Sequence, residues 1–193
     1  MIRFALDGLC GAEHPLAAHC KQCARCCLNA SLIAFLLALS PAALEAKSLT
    51  LSAEPGHFNA STLGAPASSV ALAGTLRMVA LSRAKAWPPA AYIGIQQGSN
   101  RNNSVQVLAI RNREIDDYLV VGYRLVVDGK EVEVASLEDV PLTATVRVSI
   151  VFQGGVAKIS VNGSTPVELQ TPFREVAPYV SVSSGRAEFT IEP

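Results

Sequence analysis

The chain has 193 residues, of which 50% are hydrophobic and 17% are charged. This composition fits a protein with a sizeable buried core and excludes an intrinsically disordered chain. The 16 basic residues are balanced by 16 acidic ones. This balance argues against a nucleic-acid partner and against electrostatic attachment to an anionic membrane, since both need a basic surface.

The first predicted element is an export signal. Lys21 and Arg25 supply positive charge, Leu32–Leu39 form a short apolar stretch, and Ala46 closes a run of small residues. These are the three parts of a secretory signal peptide. The apolar stretch is shorter than the roughly 20 residues that cross a bilayer, although a membrane anchor or a buried core helix remains an alternative. We therefore predict a leader over residues 1–46.

All five cysteines precede the apolar stretch, at Cys10, Cys20, Cys23, Cys26 and Cys27. The three-residue spacing, with His19 adjoining, is typical of ligands for zinc or for part of an iron–sulfur cluster. A folded metal site directly before an export signal conflicts with passage through a translocon. We therefore favour a misassigned start or an unusual leader, and we predict no metal site and no cofactor here.

Cleavage after Ala46, with Ala43 as the rival position, leaves one cysteine-free domain over residues 47–193. The export signal predicts a secreted or periplasmic protein with no membrane span after cleavage. Residues 53–70 are rich in Pro, Gly, Ser and Ala, which favours a loop or an irregular edge.

After residue 70 the hydrophobic pattern has period two and predicts β-strands with one buried face. Clear examples are Val146–Phe152, Ala157–Val161 and Ala187–Ile191. The segment Tyr118–Val127 is apolar on both faces, which predicts a central strand that is covered on each side. No convincing helix of ten or more residues follows residue 70.

Four dipeptides separate these runs and predict hairpin turns that need a left-handed backbone. They are Asp128-Gly129, Gly154-Gly155, Asn162-Gly163 and Ser184-Gly185. Hairpins in series predict an all-β fold with about ten strands in a two-sheet antiparallel sandwich.

The order of segments AYIGIQQGS, VVDGKEVEV, VRVSIVFQGGVAKISVNGS and APYVSVSSGRAEFTI resembles concanavalin A-like and laminin-G-like jelly rolls over residues 71–191. Such domains pair a strand ending in a VNG turn with a closing strand that carries a buried Phe, here Phe189. The resemblance implies a curved sheet of a kind that often binds carbohydrate.

Candidate ligand-binding residues lie in two segments. The loop Gly98–Ser104 contains Asn100, Arg101, Asn102 and Asn103, whose amides and guanidinium suit sugar hydroxyls. With a nearby carboxylate such as Asp116, these amides could also join a calcium shell, while turn chemistry alone is the favoured alternative. Trp87 and Tyr92 are candidates for stacking on a sugar ring. For Trp87 we favour a place in the core, because the chain has few other large aromatic side chains.

A catalytic pair is the weakest of these hypotheses. Glu114 and Asp116 would bring two carboxyl groups to one face of a strand, as retaining glycosidases require. The family pattern has a further Glu where this chain has Tyr118 and Leu119, so no acid/base residue is available. His57 is expected to be a surface loop residue. We predict no catalytic residues.

The sequence therefore predicts an exported, non-catalytic binding module whose leading partner is a polysaccharide or glycan, with calcium as a candidate ligand. A structural or protein-interaction domain of the cell envelope is the first alternative. A glycoside hydrolase of the same fold is the second.

Overall fold

The computed structural model describes residues 46–84, 87–98 and 101–192. The predicted leader and the cysteine cluster lie outside the described residues, apart from Ala46. In the described part the chain forms β-strands and no helix. The strands are β1 Lys47–Thr62, β2 Ser69–Leu81, β3 Ala90–Gln96, β4 Ser104–Ile110, β5 Tyr118–Val127, β6 Lys130–Pro141, β7 Val146–Gln153, β8 Val156–Val161, β9 Val167–Gln170 and β10 Ala177–Ile191.

The all-β prediction is confirmed, and the ten strands are joined in one antiparallel hydrogen-bonded order. Along this order the strands follow as β6-β5-β4-β3-β10-β2-β7-β8-β9, and β1 pairs with β10. No helix that could span a membrane is found among the described residues.

The sheet folds into two layers because β10 belongs to both. Its first half, Ala177–Ser183, pairs with β3 on one edge and with Phe58–Thr62 of β1 on the other. Its second half, Gly185–Ile191, pairs with β2 and with Lys47–Ala53 of β1. We call the layer with β3, β4, β5 and β6 the front layer, and the layer with β2, β7, β8 and β9 the back layer. The predicted sandwich is therefore one folded sheet.

The two layers enclose a single hydrophobic core. The inward side chains alternate along each strand, as in Ile93 and Ile95 of β3 and in Ile150 and Phe152 of β7, all of them at 0% exposure. Phe189, the Phe that the resemblance singled out, is buried at 1% exposure. Apolar burial of this kind is the main favourable term in folding.

Three of the four predicted hairpin turns are confirmed. The pairs Asp128-Gly129, Gly154-Gly155 and Asn162-Gly163 join β5 to β6, β7 to β8 and β8 to β9, and each has positive φ at both residues. This backbone matches the right-handed twist of the strands it connects.

The fourth turn prediction was wrong. Ser184-Gly185 lies inside β10, with φ values of 48° and 153°, at the point where the strand passes from the front layer to the back layer. The dipeptide bends a strand here instead of reversing the chain. The Ser-Gly dipeptide indicates that the backbone adopts positive φ angles. Whether the chain then reverses direction depends on the strands with which the flanking residues pair.

Of the two alternatives predicted for residues 53–70, a loop or an irregular edge, the structure has the irregular edge in the first part, since β1 continues to Thr62 and, among the described strands, pairs only with β10. Its pairing with β10 is interrupted between Ala53 and Phe58, where Gly56 has a φ of 81°. The Gly56 amide donates a hydrogen bond to Ser184 Oγ over 3.0 Å. The bulge of β1 therefore lies beside the bend of β10, which is how an edge strand accommodates Pro and Gly.

The predicted central strand Tyr118–Val127 is β5, with β4 and β6 as its neighbours. Leu119 and Val121 lie in the core at 0% exposure, while Gly122 and Val126 are buried on the outer face. The inner face of β5 is therefore covered as predicted, while its outer face is covered only in part, since Val120 and Arg124 are half-buried.

Candidate ligand-binding groove

The outer faces of the two layers differ in burial. Outward side chains of the back layer, such as Arg77 and Lys158, are exposed and form surface ion pairs with Glu188 and Glu168. On the front layer β3 is buried on both faces. Polar outward residues are buried there as well: Gln96 5%, Ser104 0%, Gln106 1%, Ser181 1% and Ser183 3%. A buried polar face needs an explanation, whereas an exposed one does not.

A groove of about 580 Å³ opens on this front face. Its floor comes from β1, β3, β4 and β5, and the loop between β3 and β4 forms one wall. The lining residues are Ala60, Thr62, Gln96, Arg101, Asn102, Gln106, Arg124, Val126, Gly129 and Glu131. Most of them carry amide, guanidinium, hydroxyl or carboxylate groups, so the groove presents both hydrogen-bond donors and acceptors.

A chain of hydrogen bonds fixes the groove floor. Arg124 donates from Nε to Gln106 Oε1 over 2.7 Å and from Nη1 to Glu131 Oε1 over 2.9 Å. The amide of Gln106 then donates to Ser104 Oγ over 2.6 Å, and this hydroxyl donates to the Arg101 carbonyl over 2.8 Å. Register explains the geometry, because Gln106 and Arg124 are direct partners across β4 and β5. A floor that is held in this way keeps its shape without a ligand.

The wall of the groove is held from two sides. The Arg101 guanidinium lies 3.1 Å from the centre of the Phe58 ring of β1. Asn103 Oδ1 accepts a hydrogen bond from the Asp128 amide over 2.9 Å, and the Gly129 amide donates to the Asn102 carbonyl over 2.8 Å. The β3–β4 loop is therefore attached both to β1 and to the β5–β6 turn.

Two hydroxyl groups on the front face of β10 have unusual surroundings. Tyr179 and Ser181 are each 1% exposed, and their oxygens have no hydrogen-bond partner among the described residues. The Tyr179 ring lies across Gly94, where an added Cβ would meet Tyr179 Cε1 at 3.0 Å. Burial raises the pKa of Tyr179, while Ser104 and the guanidinium groups of Arg101 and Arg124 act in the opposite direction. The phenol therefore stays protonated and is available as a donor.

The groove contains part of the set of predicted site residues. Arg101 and Asn102 line it. Asn103 holds the loop through its side chain, and Asn100 lies outside the described residues. Tyr92 lies on the same face at 8% exposure, with the Arg124 guanidinium 5.1 Å from its ring centre. The Tyr92 ring and the Arg124 guanidinium are therefore close enough for a cation–π interaction.

Two other predicted site residues, Asp116 and Trp87, do not line the groove. Asp116 is in the β4–β5 loop, at the opposite end of these strands from the β3–β4 loop. There its carboxylate accepts hydrogen bonds from the Arg113 amide and guanidinium over 3.0 Å and 2.9 Å. Trp87 is 46% exposed, so its expected place in the core was wrong. Phe152 and Phe189 are large aromatic side chains in the core, and Trp87 lies on the surface of the β2–β3 connection.

The structure does not support the carboxylate pair of the hydrolase hypothesis. Glu114 and Asp116 lie in a loop, and Asp116 is buried against Arg113, so strand alternation does not place them on one face. His57 is exposed, as predicted, although it lies in the bulge of β1. No group of three or more His, Cys, Asp or Glu side chains in the described residues could hold a metal ion.

The sequence analysis missed the residues of the groove floor, namely Gln96, Gln106, Arg124 and Glu131. One signal was present: Arg124 is the only charged residue in the apolar segment YLVVGYRLVV. A charge in a strand that is buried on both faces needs a partner or a ligand. Gln106 carried a similar signal, because it alternates with Val105 and Val107.

No protein-family model matches the chain, and no curated protein is significantly similar to it. Among solved structures, it is similar to the carbohydrate binding module CBM66 from Bacillus subtilis, with a TM-score of 0.50 and 11% identity, over 74% of this chain and 91% of that one. It is also similar to a functionally unknown protein from Saccharomyces cerevisiae, with a TM-score of 0.52 and 9% identity, over 77% and 89% of the two chains. At these identities the likeness establishes the concanavalin A-like jelly-roll fold alone.

Proposed function

We propose that the protein is an exported, non-catalytic binding module and that the front groove binds a carbohydrate. The observation that carries this proposal is the hydrogen-bonded floor of Gln106, Arg124 and Glu131 in a groove of about 580 Å³. Fixed amide, guanidinium and carboxylate groups complement sugar hydroxyls, which both donate and accept. A floor that is already ordered loses little conformational entropy when a ligand binds.

The fold adds support at a coarser level, because a module that is named as carbohydrate-binding has a similar chain path. The proposed groove uses Arg101 and Asn102 from the predicted loop, but Asp116 and Trp87 are no part of it. Calcium is not required by this proposal, because the polar contacts come from side chains.

The test is binding of the full-length chain to a panel of neutral and acidic polysaccharides, with and without calcium, measured by affinity electrophoresis and calorimetry. We expect saturable binding to one sugar class and no release of shorter products. Arg124→Gln should weaken binding about tenfold, because it removes a charge-assisted donor from the floor. Arg77→Gln, on the exposed face of the back layer, is the matched control and should leave affinity unchanged.

A failure to bind any polysaccharide would contradict this proposal. It would favour the second candidate, a protein-interaction domain. Edge strand β6 exposes Val132 and Val134 at 63% and 64%, and an exposed apolar edge can pair with another chain. If copies of the protein associate through this edge, changing both valines to lysine should convert an oligomer to a monomer in sedimentation velocity.

A further inference from the structure

The groove is lined by two positive charges and one negative charge. They are the guanidinium groups of Arg101 and Arg124 and the carboxylate of Glu131. Glu131 is committed to Arg124, with an N–O distance of 2.9 Å. Arg101 forms no ion pair among the described residues. The groove therefore contains one cation that lacks a neutralising partner.

This cation is held in place and partly removed from water. The Phe58 ring lies against its face, and burial lowers the pKa of Arg101. A partly desolvated charge without a counter-charge lowers stability unless it interacts with something else. Perturbed charges of this kind are concentrated at functional sites, where a ligand can supply the missing charge.

The surroundings of Arg101 favour a negative ligand as well. Tyr179 is close enough to interact with it electrostatically, and the buried Tyr179 hydroxyl has no hydrogen-bond partner among the described residues. A hydroxyl donor close to a cation stabilises an anion through a retained water molecule. The carboxylate among the groove-lining residues, Glu131, is already paired with Arg124.

We propose that the carbohydrate bound in the front groove is acidic and that one of its carboxylates pairs with Arg101. This inference rests on the proposed carbohydrate-binding function. Because Phe58 covers one face of the guanidinium, the planar N–H edge remains to bind the ligand. Two parallel N–H donors match the two oxygens of a sugar carboxylate, which makes Arg101 the residue that selects a uronate-containing chain over a neutral one.

The first experiment compares wild-type binding to uronate-containing polysaccharides, namely polygalacturonate, polyglucuronate and hyaluronan, with binding to their methyl esters. Esterification removes the charge and keeps the sugar chain. We expect at least one acid form to bind about tenfold to a hundredfold more tightly than its ester. Its affinity should fall between about 0.05 and 0.5 M salt, because charge pairing at an open groove is screened. This comparison uses the unaltered full-length chain, so it does not depend on the folding of a variant.

The second experiment locates the contact. Arg101→Gln should remove the preference for the acid form, and Arg101→Lys should retain part of it, because lysine keeps the charge and loses the planar fork. Arg147→Gln, an exposed position on β7 of the back layer, is the control and should change nothing. Circular dichroism of each variant shows whether the fold is intact.

Two results overturn the inference and leave the carbohydrate-binding proposal standing. One is equal binding to acid and ester, with no effect of Arg101→Gln. The other is stronger binding to sulfated dextran than to every uronate-containing polysaccharide, which would assign the groove to sulfate. Absence of binding to any neutral or acidic polysaccharide would overturn both proposals together.

Discussion

Asp116 shows how a carboxylate that was a candidate ligand at the level of sequence serves the fold instead. Its side chain is 5% exposed and accepts from the amide and the guanidinium of Arg113. Desolvation acts to raise the pKa of Asp116, and the hydrogen bonds and charge of Arg113 lower it by more, so the net shift is downward. The ionised form is therefore favoured in the folded state relative to the unfolded chain.

The sign of this shift predicts a pH dependence. A carboxyl group whose pKa is lower in the folded state contributes stability above its unfolded pKa of about 3.9 and loses it as the pH falls through the folded value. Asp116→Asn should lower the urea midpoint of unfolding at pH 7. It should lower this midpoint much less at a pH near the pKa that Asp116 has in the folded state. Asp117→Asn, the exposed neighbour, is the control. Equal destabilisation at both pH values would show that the charge of Asp116 contributes nothing.

Gly94 is closely surrounded by other atoms. A Cβ there would lie 2.5 Å from the Val105 carbonyl oxygen and 3.0 Å from Tyr179 Cε1. Gly94→Ala should therefore destabilise the protein by about 1–3 kcal/mol, the usual result of overpacking. It should also weaken the proposed glycan binding, because Tyr179 lies on the groove side of the sheet. Gly64→Ala, where the backbone has no positive φ and the added Cβ would meet only Pro178 at 3.5 Å, is the control for the steric effect. Chemical denaturation and calorimetry measure the two consequences.

Single residues also show which parts of the candidate site can be predicted from the sequence and which cannot. Arg101 and Asn102 were predicted, because loop residues with amide and guanidinium groups carry a local signal. Gln106 and Arg124 meet only through the register of β4 and β5. Arg101 meets Phe58 because β1 and the β3–β4 loop lie over the same face. Such contacts depend on strand order, and one sequence does not specify strand order.

At the scale of elements, the bend in β10 is the feature that closes the sandwich. A Cβ on Gly185 would lie 2.3 Å from the Ala80 carbonyl oxygen, and both Ser184 and Gly185 are buried. Only a residue without a side chain fits between the two strands at this point.

Gly185→Ala should therefore destabilise the protein by about 1–3 kcal/mol, because the backbone of β2 or β10 must shift. Gly154→Ala is the matched control: its φ is 58° and no atom lies within 4 Å of the added Cβ. Its expected cost is the backbone penalty alone, about 1 kcal/mol. Thermal unfolding of the two variants measures the difference. Equal midpoints would contradict the close-approach argument.

The same elements explain which predictions failed. Strands with alternating core positions, such as β7 and β8, were found because burial imposes period two on the sequence. β1 was predicted only as a loop or an irregular edge, because a strand with one paired edge and a bulge at Gly56 buries few side chains. Its polar, Pro- and Gly-containing sequence is a device of edge strands that looks like a loop when it is read locally.

At the scale of the whole molecule, the sharing of β1 and β10 makes the two layers one cooperative unit. Both strands contribute pairing to the front and to the back layer. A layer cannot separate without breaking a strand that the other layer also uses. We therefore expect a single, two-state unfolding transition.

This expectation can be tested with a mild core change in the back layer. Ile150→Val removes one methylene from a fully buried side chain and should cost about 0.5–1.5 kcal/mol. Hydrogen exchange should then accelerate by the same factor for the slowest amides of β4 in the front layer and of β7 in the back layer. Acceleration confined to β7 would show that the layers open separately.

The pairing of Lys47 with Ile191 brings the first and last strands of the sandwich together at one end. The groove residues Ala60 and Thr62 of β1 pair with the other half of β10, so residues 47 and 191 lie at the end of these strands that faces away from the proposed groove. Such a module can be spliced into a loop of a host protein, or displayed from a tether, without obstructing the groove. The same adjacency permits circular permutation: a short linker from residue 191 to residue 47, with new ends at Gly154-Gly155, keeps every strand pair except the hairpin that is opened.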